Sequence, residues 1–184
     1  MTKSVNPAGE LNSELTRVVA ELSDMEFAAL GALCIERVQP MIVAFFGSSA
    51  LADEVRALLW EVVDHGSSRS DASELRQRLE DEIGSLYDDD ETGYPMHVTR
   101  LMSESLARIA RREWDTDESV VFGLQDAARS ADLDREDEVM IEEARWALAA
   151  VHAIQRERPL TRSTVERISG TPSWMAKFLR ENRR

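Results

Sequence analysis

Cys34, Glu36, Arg37 and Pro40 form a Cys-x-Glu-Arg-x-x-Pro run inside an otherwise apolar stretch, Phe27 to Phe46. A carboxylate and a guanidinium amid Leu30, Leu33, Val38 and Ile42 each need a partner, because an isolated buried charge is very costly. Pro40 removes one backbone hydrogen bond and predicts a kink in whatever helix carries it. Two kinds of chemistry follow. One is a polar pocket at the kink for a small ligand or reaction, lined by Glu36, Arg37, Glu61, Tyr94 and His97. The other is a structural ion pair that fixes helix register, with Glu61 or Asp64 as the mate of Arg37. Cys34 reads as a small core residue, since a reactive thiol wants an electropositive and partly exposed setting.

The second cluster is LYDDDETGYP, residues 86–95. Phased on Asp88, it places Asp88, Asp90 and Thr92 at positions 1, 3 and 5 of a calcium loop and Gly93 at position 6. Position 12 is Thr99, where such loops need a bidentate Glu, and Pro95 starts a helix too early. Asp88 and Asp90 are therefore weak cation ligands at most, and no metal or other cofactor is expected. Asp88, Asp89, Asp90 and Glu91 read better as a solvated lip between two helices, with a contact surface for a basic partner as the alternative. The histidines His65, His97 and His152 make no Glu-x-x-His or His-x-x-His pair, which argues against a di-iron or zinc site. The 8 glycines form no phosphate-binding loop.

The elements that must position these residues are helical. Leu51, Val55, Leu58, Leu59 and Val62 follow one helix face, as do Leu75, Leu79, Ile83 and Leu86. Val98, Leu101, Met102, Ser105 and Ile109 repeat the stripe with a small polar residue inside it, and Met140, Ala144, Ala147, Val151 and Ile154 complete the set. Ser23 with Glu26 is a capping box, and Asp71 with Glu74 is a second of that kind. Pro95 suits a first helical turn, Thr116 with Asp117 and Glu118 opens another helix, and Gly47, Gly66 and Gly170 suit helix ends. The pattern predicts helices over 8–22, 24–46, 50–65, 71–86, 95–114, 117–130, 134–157, 162–169 and 173–182, and no strands. The expected fold is a single all-α domain over 1–184, a compact bundle of eight or nine helices around a central Pro-kinked apolar helix.

Bulk properties narrow the function. The 184 residues carry 35 acids against 22 bases, a formal net charge of −13. That charge repels nucleic acid and anionic membrane over most of the surface and favours a basic partner. One cysteine permits no intramolecular disulfide. The N-terminal residues lack the apolar core of a signal peptide, and polar residues interrupt Phe27–Phe46 as a membrane span, so a cytoplasmic location is expected. Charge is uneven along the chain: residues 113–143 hold 12 acids and 2 bases, and residues 155–184 hold 8 bases and 3 acids. The basic end, with Trp174, Lys177, Arg180, Arg183 and Arg184, loosely imitates a helix-turn-helix. Alternatively it folds back on the acidic segment and neutralises part of it.

ALCIERVQPMIVAFF (32–46), LLWEVVDH (58–65) and GYPMHVTRLMSESL (93–106) together resemble, in order and spacing, the YjaG-like family of bacterial proteins (domain of unknown function 416). The resemblance covers most of the chain after the first helix. It implies a single all-helical domain and no particular activity. Three functional readings follow from the residues. The first is a non-enzymatic acidic interaction module, immunity- or inhibitor-like, that binds a basic protein. The second is a ligand binder or enzyme using the Glu36/Arg37 pocket. The third is a nucleic-acid regulator using the basic C-terminus, a reading that the net charge disfavours. Self-association into a homo-oligomer is compatible with the first.

Overall fold

The computed structural model describes residues 7–66, 69–88, 93–110, 119–157, 160–165, 168 and 170–182. The described chain is all-helical: α1 (Pro7–Ala20), α2 (Asp24–Phe46), α3 (Ala50–His65), α4 (Arg69–Asp88), α5 (Tyr94–Ser105), α6 (Ala107–Ala110), α7 (Ser119–Ala131), α8 (Glu136–Arg156), α9 (Arg162–Val165) and α10 (Met175–Glu181). A 3-10 turn, Leu133–Arg135, leads into α8.

α2 is the axis of the bundle, and its local chemistry explains its length. Ser23 accepts the Glu26 N–H while the Glu26 carboxylate takes the Ser23 N–H at 2.9 Å, the reciprocal box expected from the sequence. At the far end Gly47 adopts φ 71° and returns its N–H to the Val43 carbonyl at 3.0 Å, a conformation that favours glycine. The helix runs through Pro40 to Phe46. By length and composition α2 is apolar enough to cross a membrane. In the fold Leu30, Leu33, Cys34, Ile35, Val38, Met41 and Ile42 are fully enclosed by the other helices and form the middle of the core.

α3, α5 and α8 pack around α2, and α7 lies between α5 and α8. α5 is squeezed between α2 and α7, and two glycines make that possible. A Cβ on Gly31 of α2 would stand 3.0 Å from the Ser105 Cβ, and one on Gly123 of α7 would stand 3.3 Å from the Leu101 Cα. The serine inside the α5 stripe thus faces Gly31 and satisfies its hydroxyl on the Leu101 carbonyl at 2.8 Å. Gly31→Ala is expected to lower the unfolding free energy by about 1–3 kcal/mol, because the close approach cannot absorb a methyl group. Gly84 of α4 is exposed with no atom near its absent side chain. Gly84→Ala should therefore stabilise by about 0.5–1 kcal/mol through helix propensity. Urea melts of the two variants should move in opposite directions.

The expected helix over 95–114 breaks at Leu106, whose N–H closes on the Ser103 carbonyl at 3.1 Å as a tighter turn. The break redirects α6, and Arg108 then reaches the end of α1. Its Nη1 donates to the Leu22 carbonyl and its Nη2 to the Val19 carbonyl at 3.0 Å, with the guanidinium 4.5 Å from the centre of the Phe27 ring. Two carbonyls at the end of α1, of which that of Val19 also takes the Leu22 N–H at 3.2 Å, are thus tied to a residue 86 and 89 positions away. α4 begins at Arg69, so Asp71 lies in its first turn rather than at its cap. Thr116, Asp117 and Glu118 lie outside the described residues.

Candidate functional site

Arg37 is the polar centre of the molecule. Its Nε donates to the Glu143 Oε2 at 2.5 Å and its Nη2 to the Glu143 Oε1 at 3.0 Å. Its Nη1 donates to the Gly170 carbonyl at 2.5 Å, and its guanidinium lies 4.4 Å from the centre of the Trp146 ring. The Arg37 side chain is 4 % exposed and that of Glu143 is 0 % exposed. The second carboxylate, Glu142, is 3.8 Å from the Arg37 Nη2. A planar fork meeting a carboxylate with two parallel bonds is the arrangement in which arginine outperforms lysine.

Neither Glu61 nor Asp64 is the mate of Arg37, a correction to the expectation from sequence. α3 turns Ala52, Val55, Leu59, Val62 and Val63 inward, so Glu61 and Asp64 face solvent. The partner comes instead from α8. Val139, Glu143, Ala147, Ala150 and Ile154 are spaced as one buried helix face, so an acid interrupts an apolar stripe. That interruption was the available signal, because an acid at such a position needs a cation.

Burial raises the Glu143 carboxyl above its ordinary value, while Arg37 and the Trp174 N–H pull it down. Burial also pushes the Cys34 thiol well up, and the Glu143 charge adds to the effect. Cys34 is fully enclosed, the small core residue expected from the sequence.

The C-terminal segment closes over this centre. The Trp174 Nε1–H donates to the Glu143 Oε1 at 2.9 Å, and the Ser173 N–H donates to the Glu142 Oε1 at 2.8 Å. The Ser173 hydroxyl binds the other Glu142 oxygen. The Lys177 Nζ lies 2.5 Å from the Asp132 Oδ1 and 3.0 Å from the Asp134 Oδ2, and these carboxylates hold its ammonium above its ordinary value. The basic end thus folds back on acids of the 113–143 segment. Met175 and Phe178 form the buried face of α10, and Trp174 is buried just ahead of it. Arg183 and Arg184 lie outside the described residues.

A hollow does open beside Arg37, lined by Glu36, Arg37, Gln39, Pro40, Arg56 and the turn Gly170–Pro172 with Met175. Its cations are occupied. Arg56 binds the Gln39 Oε1 at 3.0 Å and the Asp53 Oδ1 at 2.5 Å, with Glu36 at 3.9 Å. The other residues predicted to share this pocket do not line it. Glu61 lies in a groove between α3 and α4. The Tyr94 ring is edge-on to Phe178 at 4.9 Å and to Phe45 at 6.4 Å. His97, on α5, faces charges from α7 and its own helix: Asp126, Arg129 and Arg100. The physical reason is rotation: successive residues of a helix point about 100° apart, so Glu36 and Arg37 serve different neighbours.

His97 carries a pH dependence. Its Nδ1 is buried without a hydrogen-bond partner, and burial lowers its pKa from the ordinary 6.5. The unfolded chain therefore binds a proton that the folded chain refuses. The contribution of neutral His97 is intact above about pH 6.5 and is lost as the pH falls through the lower folded value. Urea melts from neutral to mildly acid solution should show stability falling with pH, and His97→Gln should flatten that slope.

Among the described residues no group of three or more His, Cys, Asp or Glu side chains could hold a metal ion. Asp89, Asp90 and Glu91 lie outside the described residues, and of Asp88 only the backbone, at the end of α4, is described. No family model, curated protein or solved structure matches this chain.

Proposed function

We propose that the protein is a non-enzymatic acidic interaction module, immunity- or inhibitor-like, that binds a basic protein in the cytoplasm. The observation that carries the reading is where the cations go. Arg37, Arg56, Arg78, Arg135 and Lys177 are all engaged with carboxylates of the same chain. Carboxylates such as Glu14, Glu61, Asp64, Glu74, Asp81 and Asp137 lie on the exposed surface. With a formal charge of −13, the surface field is negative and steers a cationic protein toward capture. Kinship with the YjaG-like family belongs to the same proposal and adds a fold without an activity.

The ligand-pocket reading has less support, because every nitrogen of the Arg37 fork already donates within the chain. The nucleic-acid reading has less support because Lys177 is bound to two aspartates. The test is capture of basic proteins by the immobilised full chain at low salt, followed by calorimetry of each one retained. A saturable stoichiometric complex that weakens as salt rises is the expected result. If no basic protein forms such a complex at low salt, the reading is wrong.

A further inference from the structure

We infer that the groove between α3 and α4 is the docking site for a basic amphipathic helix of the partner protein, an inference that rests on the function proposed above. The groove exists because α4 leans elsewhere. Its Leu75, Arg76 and Leu79 are buried, and the Arg76 Nε donates to the Ser103 Oγ of α5 at 3.4 Å. α4 packs chiefly on α5 and α6 and touches α3 lightly.

The residues along the opening are spaced as two helix faces. On α3 they are Ala50, Leu51, Glu54, Ala57, Leu58 and Glu61; on α4 they are Glu74, Leu75, Arg78 and Glu82. Phe46, at the end of α2, closes one end. The floor carries Leu51, Leu58 and Leu75, and both walls carry glutamates. Among the described residues four glutamates stand against one arginine, and Arg78 is already committed to Glu54, with bonds of 2.6 and 3.1 Å across the gap. Glu61 and Glu74 line the same section from opposite walls, and like charges there oppose closure of α3 onto α4.

This geometry selects an occupant. From residue 50 to residue 61 the α3 wall is about 16 Å long, the length of about three helical turns. An amphipathic helix lays its apolar stripe in such a trough with anchors three and four residues apart. Here the residues flanking that stripe on both sides must be Arg or Lys to meet the two glutamate walls. The Glu54–Arg78 bridge is about half exposed on both partners, so an incoming arginine can exchange into it.

The test uses the full chain and a synthetic helical peptide of about four turns, with leucines along one face and arginines on both sides of it. Binding is read by fluorescence anisotropy at low salt. Glu61→Lys with Glu74→Lys should weaken binding roughly tenfold or more, whereas the matched reversal Glu14→Lys with Asp137→Lys should change it by about twofold or less. All four positions are exposed, and circular dichroism verifies folding of each variant. A peptide of identical composition with scrambled leucines should bind roughly tenfold more weakly. Equal weakening by both double reversals, or equal binding of the scrambled peptide, removes the groove and leaves the basic-partner reading standing. Capture of basic proteins without any peptide binding likewise removes the groove alone, while failure of both kinds of binding overturns both proposals. Sedimentation showing a dimer that the groove variants dissolve would assign the groove to a second copy and overturn the inference.

Discussion

Arg37→Ala is expected to lower the unfolding free energy by about 3–5 kcal/mol, the cost of leaving a buried ion without its partner. The loss is large because one guanidinium holds three parts of the chain together: α2, the Glu143 carboxylate of α8, and the Gly170 carbonyl ahead of α10. Its pH dependence identifies the mechanism. Burial already raises Glu143, and Arg37 supplies the largest opposing pull. Without Arg37 the folded-state value rises further above the unfolded one. The folded variant then holds a proton that the unfolded chain has released. Stability relative to the parent is best preserved below the unfolded value and is lost as the pH rises through the folded value. Urea melts at about pH 5 and about pH 8 should show the smaller deficit in acid. Arg37→Met combined with Glu143→Leu should recover part of the loss, since an apolar pair needs no charge compensation. A variant Arg37→Ala that melts with the parent would mean that Glu143 is solvated and that the clamp does not bear on stability.

Trp174→Ala should cost about 3–5 kcal/mol as well, by emptying the largest fully buried side chain among the described residues. Trp174→Phe separates the two contributions. It keeps most of the apolar bulk and removes the donor to Glu143, which should cost about 1–3 kcal/mol. Amide exchange in α10 should accelerate more in the alanine variant, because Met175 and Phe178 lose the neighbour that holds the helix down. Arg37 and Trp174 share the Glu143 Oε1, so the two alanine substitutions together should cost less than their sum. Additivity would show that the indole bond and the ion pair are independent.

The pH response of His97 has its own set of charges, Asp126, Arg100 and Arg129, so the effects of His97→Gln and Arg37→Ala should add.

How legible the site was depends on the range of the interactions. That Arg37 must find a partner could be read from a charge inside an apolar helix, whose burial carries a cost wherever that helix packs. The partner of Arg37 was not legible among the nearest carboxylates. Glu61 and Asp64 are close in sequence, but they lie on the outer face of α3. The sequence reading places Tyr94 and His97 in the pocket beside Arg37, whereas the helix rotations send them to Phe178 and to the charges of α7.

Helices and their ends are local properties of this chain, because period, capping boxes and glycine stops act within a few residues of one another. The bounds of α2 and α3 follow from such signals, and so does the choice of Arg37 as the residue about which the polar centre forms. Long-range packing settles the rest. Arg37 closes on Glu143 and Gly170, 106 and 133 positions away, Arg108 caps α1, and α4 leans off α3 to open an acidic groove. Those outcomes depend on which faces meet, and helix faces meet through the packing of whole stripes, which no local pattern specifies.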